Sequence, residues 1–382
     1  MGRQPALGLA ELESLYGAAE LKPLAGAALL DIEAGEINFK RLGGTLKVAK
    51  VLTILPTAEW SALLKYLIES LPQHLQYLPP GTFRLGVSLY NLQLPLAQLN
   101  RDLLALKKVI RAHHRSVRIV PNKTLELNSA QVIHNQLTHK GGWELIFIRD
   151  GEQTILAQTM FVQDIAAYAA RDQARPKRDA RVGMLPPKLA QIIINLARPA
   201  AGARLLDPFC GTGVMLQEAL LMGQPVIGSD LEPRLVDYAS QNLDWLRRQF
   251  DRSLSPAKLI AADATSYRWP KFDSLASEVY LGRPLNSLPT PPALNKIVQD
   301  VNTITEKFLK NLAGQTPPGF RGSLAVPAWR GPDGQLTHLP LIAKLTSLGY
   351  NRLSFEHARP AELVYFRPNQ VVARELLVLT RK

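Results

Sequence analysis

The sequence has one cysteine, Cys210, among its 382 residues. A single thiol excludes an internal disulfide framework and a cysteine-based zinc site. Apolar runs, such as residues 189–197, are far shorter than the roughly 20 residues of a membrane-spanning helix. The amino terminus also lacks the basic segment and long apolar stretch that are typical of a signal peptide. From these absences we expect a soluble cytoplasmic protein that has no membrane partner.

Acidic side chains are also scarce, with 32 Asp and Glu residues against 45 Lys and Arg residues, a net charge of +13. Residues 101–123 hold seven basic and one acidic residue, and residues 171–181 hold five basic and two acidic residues. A solvated basic face explains either run taken alone. Two such runs in a strongly basic chain favour a nucleic-acid partner, because excess positive charge attracts polyanions.

The length and the hydrophobic content of 46% allow two or three domains with sizeable cores. Residues 1–60 mix short helix-like and strand-like patterns, and residues 61–160 continue as an α+β mixture. A polar and charged stretch over residues 161–183 indicates a linker. Residues 184–382 then alternate strand and helix patterns, which predicts an α/β domain with a mainly parallel sheet covered by helices on both faces.

The carboxyl end of this α/β region departs from the alternation. The pattern predicts a helix over residues 339–348. An antiparallel strand pair over residues 361–367 and 371–380 is then expected to close the sheet.

The turn after the first strand of the α/β region reads Asp-Pro-Phe-Cys-Gly-Thr-Gly over residues 207–213. Gly211 and Gly213 lack a Cβ, so the backbone can adopt positive φ angles and approach a ligand closely. A diphosphate-binding fingerprint is absent, because Val-Met-Leu follows the second glycine. Asp207 suits the charged amino-acid end of S-adenosylmethionine better than a phosphate. Cys210, inside so tight a turn, is interpreted as a small buried residue and not as a nucleophile.

Two further aspartates end the next two predicted strands. Asp230 is placed to accept hydrogen bonds from ribose hydroxyls, and Asp263 from an adenine amine. One aspartate alone is more often a helix cap or turn residue, but three at successive strand ends predict an S-adenosylmethionine site. The predicted cofactor-binding residues are Asp207, Pro208, Phe209, Gly211, Thr212, Gly213, Asp230, Leu231, Asp263 and Ala264.

Together these motifs resemble the THUMP-domain tRNA guanine-N2-methyltransferases. Residues 8–13 and 41–45 resemble the N-terminal ferredoxin-like region of that family, and residues 116–118 resemble its THUMP segment. Residues 175–179 and 183–191 are similar to its junction with the catalytic domain. The resemblance implies methyl transfer from S-adenosylmethionine to the exocyclic N2 amine of a guanine in tRNA.

The resemblance also implies four regions along the chain. These are a ferredoxin-like region over residues 1–60, a THUMP-like RNA-binding domain over 61–160, a linker over 161–183, and a class I methyltransferase domain over 184–382. The last of these has a Rossmann-like, mainly parallel seven-stranded sheet. The need for a small activating subunit, or for a homodimer, is left open.

One segment departs from the family pattern. The family has Asp/Asn-Pro-Pro-Tyr after the fourth strand, whereas residues 274–284 lack the proline pair. That loop must accept hydrogen bonds from the target amine and stack an aromatic ring on the target base. Glu278 can supply the acceptor and Tyr280 the ring, and Ser277 completes the predicted catalytic set. The alternative is that Glu278 and Tyr280 merely form a surface turn.

Methyl transfer of this kind needs no metal, since the cofactor supplies the activation and the protein mainly positions the reactants. A guanine within a stem must be extruded to reach the pocket. The predicted RNA-binding residues are Lys108, Arg111, Arg118, Arg175, Lys177 and Arg178. Two alternatives remain: an amino-methyltransferase acting on ribosomal RNA or DNA, and an RNA-binding protein with an inactive methyltransferase domain.

Overall fold

In the computed structural model, the described residues are 1–179, 184–251, 253–285, 287–368 and 370–382. Gly183 of the predicted junction motif lies outside them. The helices within this part of the chain are α1 Pro5–Tyr16, α2 Trp60–His74, α3 Leu96–Ala112, α4 Ser129–His134, α5 Ile165–Gln173, α6 Pro187–Ala197, α7 Val214–Leu221, α8 Pro233–Gln249 and α9 Pro291–Ala313. The strands are β1 Leu21–Leu24, β2 Ala27–Leu30, β3 Lys47–Leu55, β4 Phe83–Tyr90, β5 Val117–Ile119, β6 Gly142–Asp150, β7 Gln153–Val162, β8 Leu205–Asp207, β9 Val226–Asp230, β10 Ala257–Ala261, β11 Ser274–Glu278, β12 Arg321–Arg330, β13 Leu336–Thr337, β14 Tyr350–Arg352, β15 Val364–Tyr365 and β16 Val372–Arg381.

The chain folds as two compact units. The N-terminal unit comprises residues 1–5, 19–40 and 45–165, and the C-terminal unit comprises residues 6–18, 41–44 and 166–382. Among the described residues, no helix combines the length and the apolar character that crossing a bilayer requires.

The N-terminal unit is built on a five-stranded sheet in the order β3-β7-β6-β4-β5. Strand β4 is parallel to β5 and β6, while β7 is antiparallel to β3 and β6. Helix α3 buries Leu99, Leu103, Leu106 and Ile110 at helical spacing, and these side chains join the main core of the unit. The α+β character expected from the sequence is therefore found, with the basic residues of α3 on its outer face.

The C-terminal unit contains a sheet in the order β10-β9-β8-β11-β12-β16-β14. Only β16 runs against its neighbours, and the two-residue strands β13 and β15 pair with β12 and β16. One apolar core includes buried residues of α6, α7 and α8, and a second includes those of α9. The mainly parallel seven-stranded sheet expected from the sequence is confirmed.

Helix α1 belongs to the C-terminal unit although it lies near the amino terminus. Leu7 and Ala10 are part of the apolar core that also contains buried residues of α6, α7 and α8. The buried Glu11 carboxylate accepts hydrogen bonds from Gly43 N at 2.9 Å, Gly44 N at 2.8 Å and Asn195 Nδ2 at 2.7 Å. Burial raises the pKa of the Glu11 carboxyl to about 7. This network ties α1 and residues 43–44 to helix α6.

Three local expectations differ from the structure. The predicted linker contains helix α5. The predicted helix over residues 339–348 is only a 3-10 turn, Pro340–Lys344. The expected antiparallel pair is present but short: the two residues of β15 pair with β16, which pairs mainly with β12 and also with β14. Gly349, with a φ of +88°, lies between residues 339–348 and strand β14, which begins at the next residue.

Candidate active site

A cavity of about 810 Å³ lies at the carboxyl ends of the parallel strands in the C-terminal unit. Its walls come from the turn after β8, the ends of β9, β10 and β11, and one side of α9. Open α/β sheets bind ligands at this edge, because the connecting loops diverge there. Nine of the ten predicted cofactor-binding residues line the cavity, namely Asp207, Pro208, Phe209, Gly211, Thr212, Asp230, Leu231, Asp263 and Ala264.

The tenth residue, Gly213, shapes the turn instead of lining the cavity. Its φ is +87°, and a Cβ at this position would lie 3.1 Å from the Ala239 Cβ on helix α8. Gly211 has a φ of +50° and would have open space around a Cβ. The two glycines therefore differ in their surroundings: Gly213 allows helix α8 to pack closely against the turn, and Gly211 lines the cavity with a left-handed backbone conformation.

Asp207 is a buried carboxyl at the end of β8, with 2% of its surface exposed. Its Oδ1 accepts hydrogen bonds from Ser277 Oγ at 2.5 Å and from Phe209 N at 3.3 Å. Burial raises its pKa to about 7. Ser277, which the sequence places in the catalytic set, has no exposed surface. That assignment needs correction, because Ser277 orients Asp207 from beneath and does not line the cavity.

Asp230 and Asp263 stand at the ends of the next two strands. Asp230 Oδ2 accepts from Gly211 N at 2.9 Å and Oδ1 accepts from Glu232 N at 3.0 Å. Burial raises the pKa of Asp230. Asp263 Oδ1 accepts from Thr265 N at 2.8 Å. Each carboxylate retains free lone pairs, so backbone amides fix its direction while leaving it able to accept from a ligand.

Two neighbouring side chains complete this part of the cavity. Leu231 is 69% exposed, an unusual position for a large apolar residue beside an aspartate. Such a side chain provides an apolar surface for the flat face of an aromatic ring. Cys210 is buried, and burial raises the pKa of its thiol well above the ordinary value. The sequence interpretation of Cys210 as a small buried residue is confirmed.

The end of β11 and the loop that follows it bring an acidic and an aromatic side chain to the cavity. Glu278 Oε1 accepts from Arg374 Nε at 2.5 Å. Tyr280 is 45% exposed and also lines the cavity. Arg374 lies on β16, 96 residues further along the chain, and sequence reasoning missed it because no local pattern connects the two. The pair fixes Glu278 through one oxygen and leaves Oε2 to accept from another group.

The basic residues predicted to bind RNA differ in their exposure to solvent. Lys108, Arg111 and Arg118 are exposed on the N-terminal unit, and Arg178 is exposed on the C-terminal unit. Lys177 is half-buried, with its Nζ 5.3 Å from the centre of the Tyr238 ring.

The prediction for Arg175 is wrong. Its side chain is 4% exposed and its Nη1 donates to Thr212 Oγ1 at 3.4 Å, so the guanidinium cannot reach a phosphate on the protein surface.

The donor and acceptor groups of the cavity fit S-adenosylmethionine. Carboxylates at three adjacent strand ends match the amine and hydroxyl donors of an adenosyl amino acid, and Leu231 matches its ring. Thr303 and Ile304 of α9, which sequence reasoning missed, line the same cavity. Within the described ranges, no group of three or more His, Cys, Asp or Glu side chains could hold a metal ion.

A sheet of this order, with β16 alone reversed and the cavity at its carboxyl edge, defines the class I methyltransferase fold. Residues 175–265, which include the turn and all three strand-end aspartates, match the family model of the RMKL-like methyltransferase domain. The C-terminal unit is therefore a methyltransferase domain.

Two curated relatives match parts of the chain. Over 110 residues the chain is 47% identical to the tRNA (guanine(10)-N2)-dimethyltransferase of Methanothermobacter thermautotrophicus, covering 28% of this chain and 31% of that protein. Over 95 residues it is 36% identical to the protein of the same name from Methanocaldococcus jannaschii, covering 24% and 27%. The matched segment thus spans less than a third of either relative. The crystal structure of TrmN from Thermus thermophilus aligns with a TM-score of 0.49 at 19% identity, covering 92% of this chain and 88% of that one.

Proposed function

We propose that this protein transfers a methyl group from S-adenosylmethionine to the exocyclic N2 amine of a guanine in tRNA. The observation that carries the proposal is the cavity in which Asp207, Asp230 and Asp263 end three adjacent strands and Glu278 ends a fourth. The names of the curated relatives support tRNA as the substrate and guanine N2 as the acceptor.

The cofactor side of the cavity would bind each part of S-adenosylmethionine with a different residue. Asp230 accepts hydrogen bonds from the ribose hydroxyls, and Leu231 packs against the adenine ring. Asp263 accepts from the adenine amine, while Asp207 pairs with the ammonium of the amino-acid end. When bound, the cofactor supplies a methyl group on a positively charged sulfur. The protein supplies orientation and excludes water, since direct transfer needs no covalent enzyme intermediate.

The acceptor side would be formed by the end of β11 and the loop that follows it. Glu278 Oε2 accepts a hydrogen bond from the guanine amine and so directs the nitrogen lone pair toward the methyl group. Arg374 holds the carboxylate in place through Oε1. The exposed ring of Tyr280 stacks on the target base. The carboxylate orients the amine and balances the positive charge that develops on nitrogen during transfer.

The N-terminal unit would hold the RNA. Lys108 and Arg111 on α3 and Arg118 on β5 contact phosphates. All three lie in residues 61–160, the region that the sequence resemblance predicts to be THUMP-like. A guanine in a paired stem is extruded before it enters the cavity, because its amine is otherwise out of reach. A tRNA substrate also agrees with action in the cytoplasm.

The proposal is tested by incubating the purified protein with radiolabelled S-adenosylmethionine and, separately, bulk tRNA, ribosomal RNA or duplex DNA. Each polymer is then digested to nucleosides and separated. We expect label in tRNA, as N2-methylguanosine or its dimethyl form. Label only in ribosomal RNA or DNA, or as N6-methyladenosine, contradicts the proposal.

An inactive methyltransferase domain is separated from an active one by calorimetry. We expect S-adenosylmethionine to bind the protein at micromolar concentration. A protein that binds tRNA but shows no heat with the cofactor at high micromolar concentration is an RNA-binding protein without methyltransferase activity.

A further inference from the structure

Arg175 is a buried cation with incomplete hydrogen bonding. Its Nη1 donates to Thr212 Oγ1 at 3.4 Å. Its Nε and Nη2 are shielded from solvent and have no hydrogen-bond partner among the residues that the structure describes. A guanidinium stays protonated in proteins, and an unpaired buried charge is costly. The buried guanidinium therefore favours an anionic group close to it.

The neighbouring carboxylates act on Arg175 by charge and not by a hydrogen bond. Burial lowers the pKa of Arg175, whereas the charges of Asp172 and Glu218 both favour its protonated form. However, Glu218 accepts hydrogen bonds from Arg171 through both of its oxygens, at 2.7 and 3.2 Å. In the described part of the chain, Arg175 donates to neither carboxylate. The two carboxylates therefore attract the charge of Arg175 but leave its Nε and Nη2 without an acceptor.

The segment that carries Arg175 is fixed against the turn after β8. Asn242, which has no exposed surface, donates through Nδ2 to Thr212 O at 2.8 Å and to Lys177 O at 2.9 Å. Its Oδ1 accepts from Lys177 N at 3.0 Å. The backbones on both sides of the contact between Arg175 and Thr212 are thus held by one side chain of α8, and the contact is part of the fold.

The direction of the Thr212 hydroxyl follows from the chemistry of its partner. A guanidinium has no acceptor, so Thr212 Oγ1 must accept from Arg175 and its own proton is left to donate elsewhere. Thr212 lines the cavity. A hydroxyl donor on the cavity wall with a positive charge behind it favours an anionic group of a ligand.

We infer that Arg175 is a positioning residue that orients the Thr212 hydroxyl toward the carboxylate at the amino-acid end of the cofactor. The positive charge of Arg175 adds to the attraction. This inference rests on the proposed cofactor. It adds that Arg175 and Thr212 together favour a ligand that carries the carboxylate over one that lacks it.

The test measures the affinity of two ligands by calorimetry. One is S-adenosylhomocysteine, and the other is its decarboxylated analogue, which keeps the adenosine, the sulfur and the amine. The variants are Arg175→Met, Arg175→Lys and Thr212→Val. Arg248→Met, which removes an exposed charge from the same unit, is the matched control.

We expect Arg175→Met and Thr212→Val each to weaken S-adenosylhomocysteine binding about tenfold or more, the size of one charge-assisted hydrogen bond. Affinity for the decarboxylated analogue should change less than about twofold. Arg175→Lys keeps the charge and should retain part of the preference for the carboxylate, which also covers the case in which Arg175→Met fails to fold. The Arg248→Met control should bind both ligands as the unaltered protein does.

An equal loss of affinity for both ligands, or no loss for either, overturns the inference and assigns Arg175 a structural role only. The proposed function itself would be refuted if the unaltered protein bound neither S-adenosylhomocysteine nor S-adenosylmethionine. The two failures are thereby distinguished.

Discussion

The proposed pairing of Asp207 with the cofactor ammonium predicts that cofactor binding depends on pH. Its pKa of about 7 in the free protein means that it is mostly protonated at pH 6 and mostly ionised at pH 8. Pairing with the cofactor ammonium requires the ionised form, so affinity should fall as the pH falls. The ionised fraction changes about tenfold over this range, and the dissociation constant of S-adenosylhomocysteine should rise about tenfold from pH 8 to pH 6.

This pH dependence is measured by calorimetry in both Asp207→Asn and the unaltered protein. The variant should bind more weakly at pH 8 and show little change between the two pH values. Methylthioadenosine, which has no amino-acid end, serves as the ligand control and should bind both proteins independently of pH. An unchanged pH dependence in Asp207→Asn would show that another group titrates.

Glu278 should affect turnover more than cofactor binding. Glu278→Ala removes the proposed acceptor for the guanine amine and leaves Arg374 without its partner on β11. We expect kcat to fall about 100-fold, the usual loss when one oriented electrostatic contact to the reacting group is removed. The dissociation constant of S-adenosylhomocysteine should stay within about twofold. A variant with unchanged kcat would assign Glu278 to a surface turn.

At the scale of elements, Glu11 should determine how firmly α1 is held. Glu11→Gln replaces one acceptor oxygen with a donor facing buried N–H groups, and we expect the free energy of unfolding to fall by about 1–3 kcal/mol. The raised pKa means that the folded protein holds a proton that the unfolded chain releases between pH 4.5 and about 7. The stability contributed by protonated Glu11 is thus present below pH 4.5 and is lost as the pH rises to about 7.

The glutamine variant has no such titration, so its deficit should be larger at pH 5 than at pH 7.5. Urea unfolding at both pH values measures the difference. Glu356→Gln, an exposed change in the same unit, is the control and should leave the midpoint unchanged. Equal deficits at both pH values would argue against a titrating Glu11.

The elements around the cofactor could be predicted because each is encoded locally. The strand, the glycine turn and the aspartate lie within a few residues of one another at 205–213, and the pattern recurs at Asp230 and Asp263. The interpretation of Ser277 and Arg175 failed for the opposite reason. Ser277 and Arg175 are positioned by Asp207 and Thr212, which are 70 and 37 residues away in the sequence. A buried arginine also cannot be told from an exposed one by the sequence of a basic segment.

At the scale of the whole molecule, the basic residues of the N-terminal unit should set tRNA affinity. Reversing the charge of Lys108, Arg111 and Arg118 to Glu removes three proposed phosphate-binding side chains. We expect tRNA binding to weaken at least tenfold, and the slope of log affinity against log salt to decrease by about one for each phosphate that is no longer neutralised. Affinity for S-adenosylhomocysteine should not change. Fluorescence anisotropy over a salt series provides both quantities for tRNA.

A matched triple variant tests whether net charge alone produces the effect. Arg248, Lys258 and Lys271 are exposed on the C-terminal unit, and their reversal to Glu changes the net charge by the same amount. This variant should keep most of the tRNA affinity. Equal weakening by the two triple variants would indicate that tRNA responds to overall charge and not to the N-terminal unit.

The placement of α1 in the C-terminal unit has a consequence for synthesis on the ribosome. Ser14 Oγ donates to Asn195 O, a partner 181 residues further along the chain. At about 5–20 residues per second, α1 leaves the ribosome roughly 10–40 seconds before helix α6 exists. Its apolar face must remain uncovered during that interval while the N-terminal unit is completed. A fragment beginning at residue 184 would lack α1 altogether, so the catalytic half of this protein cannot be isolated by a single cut.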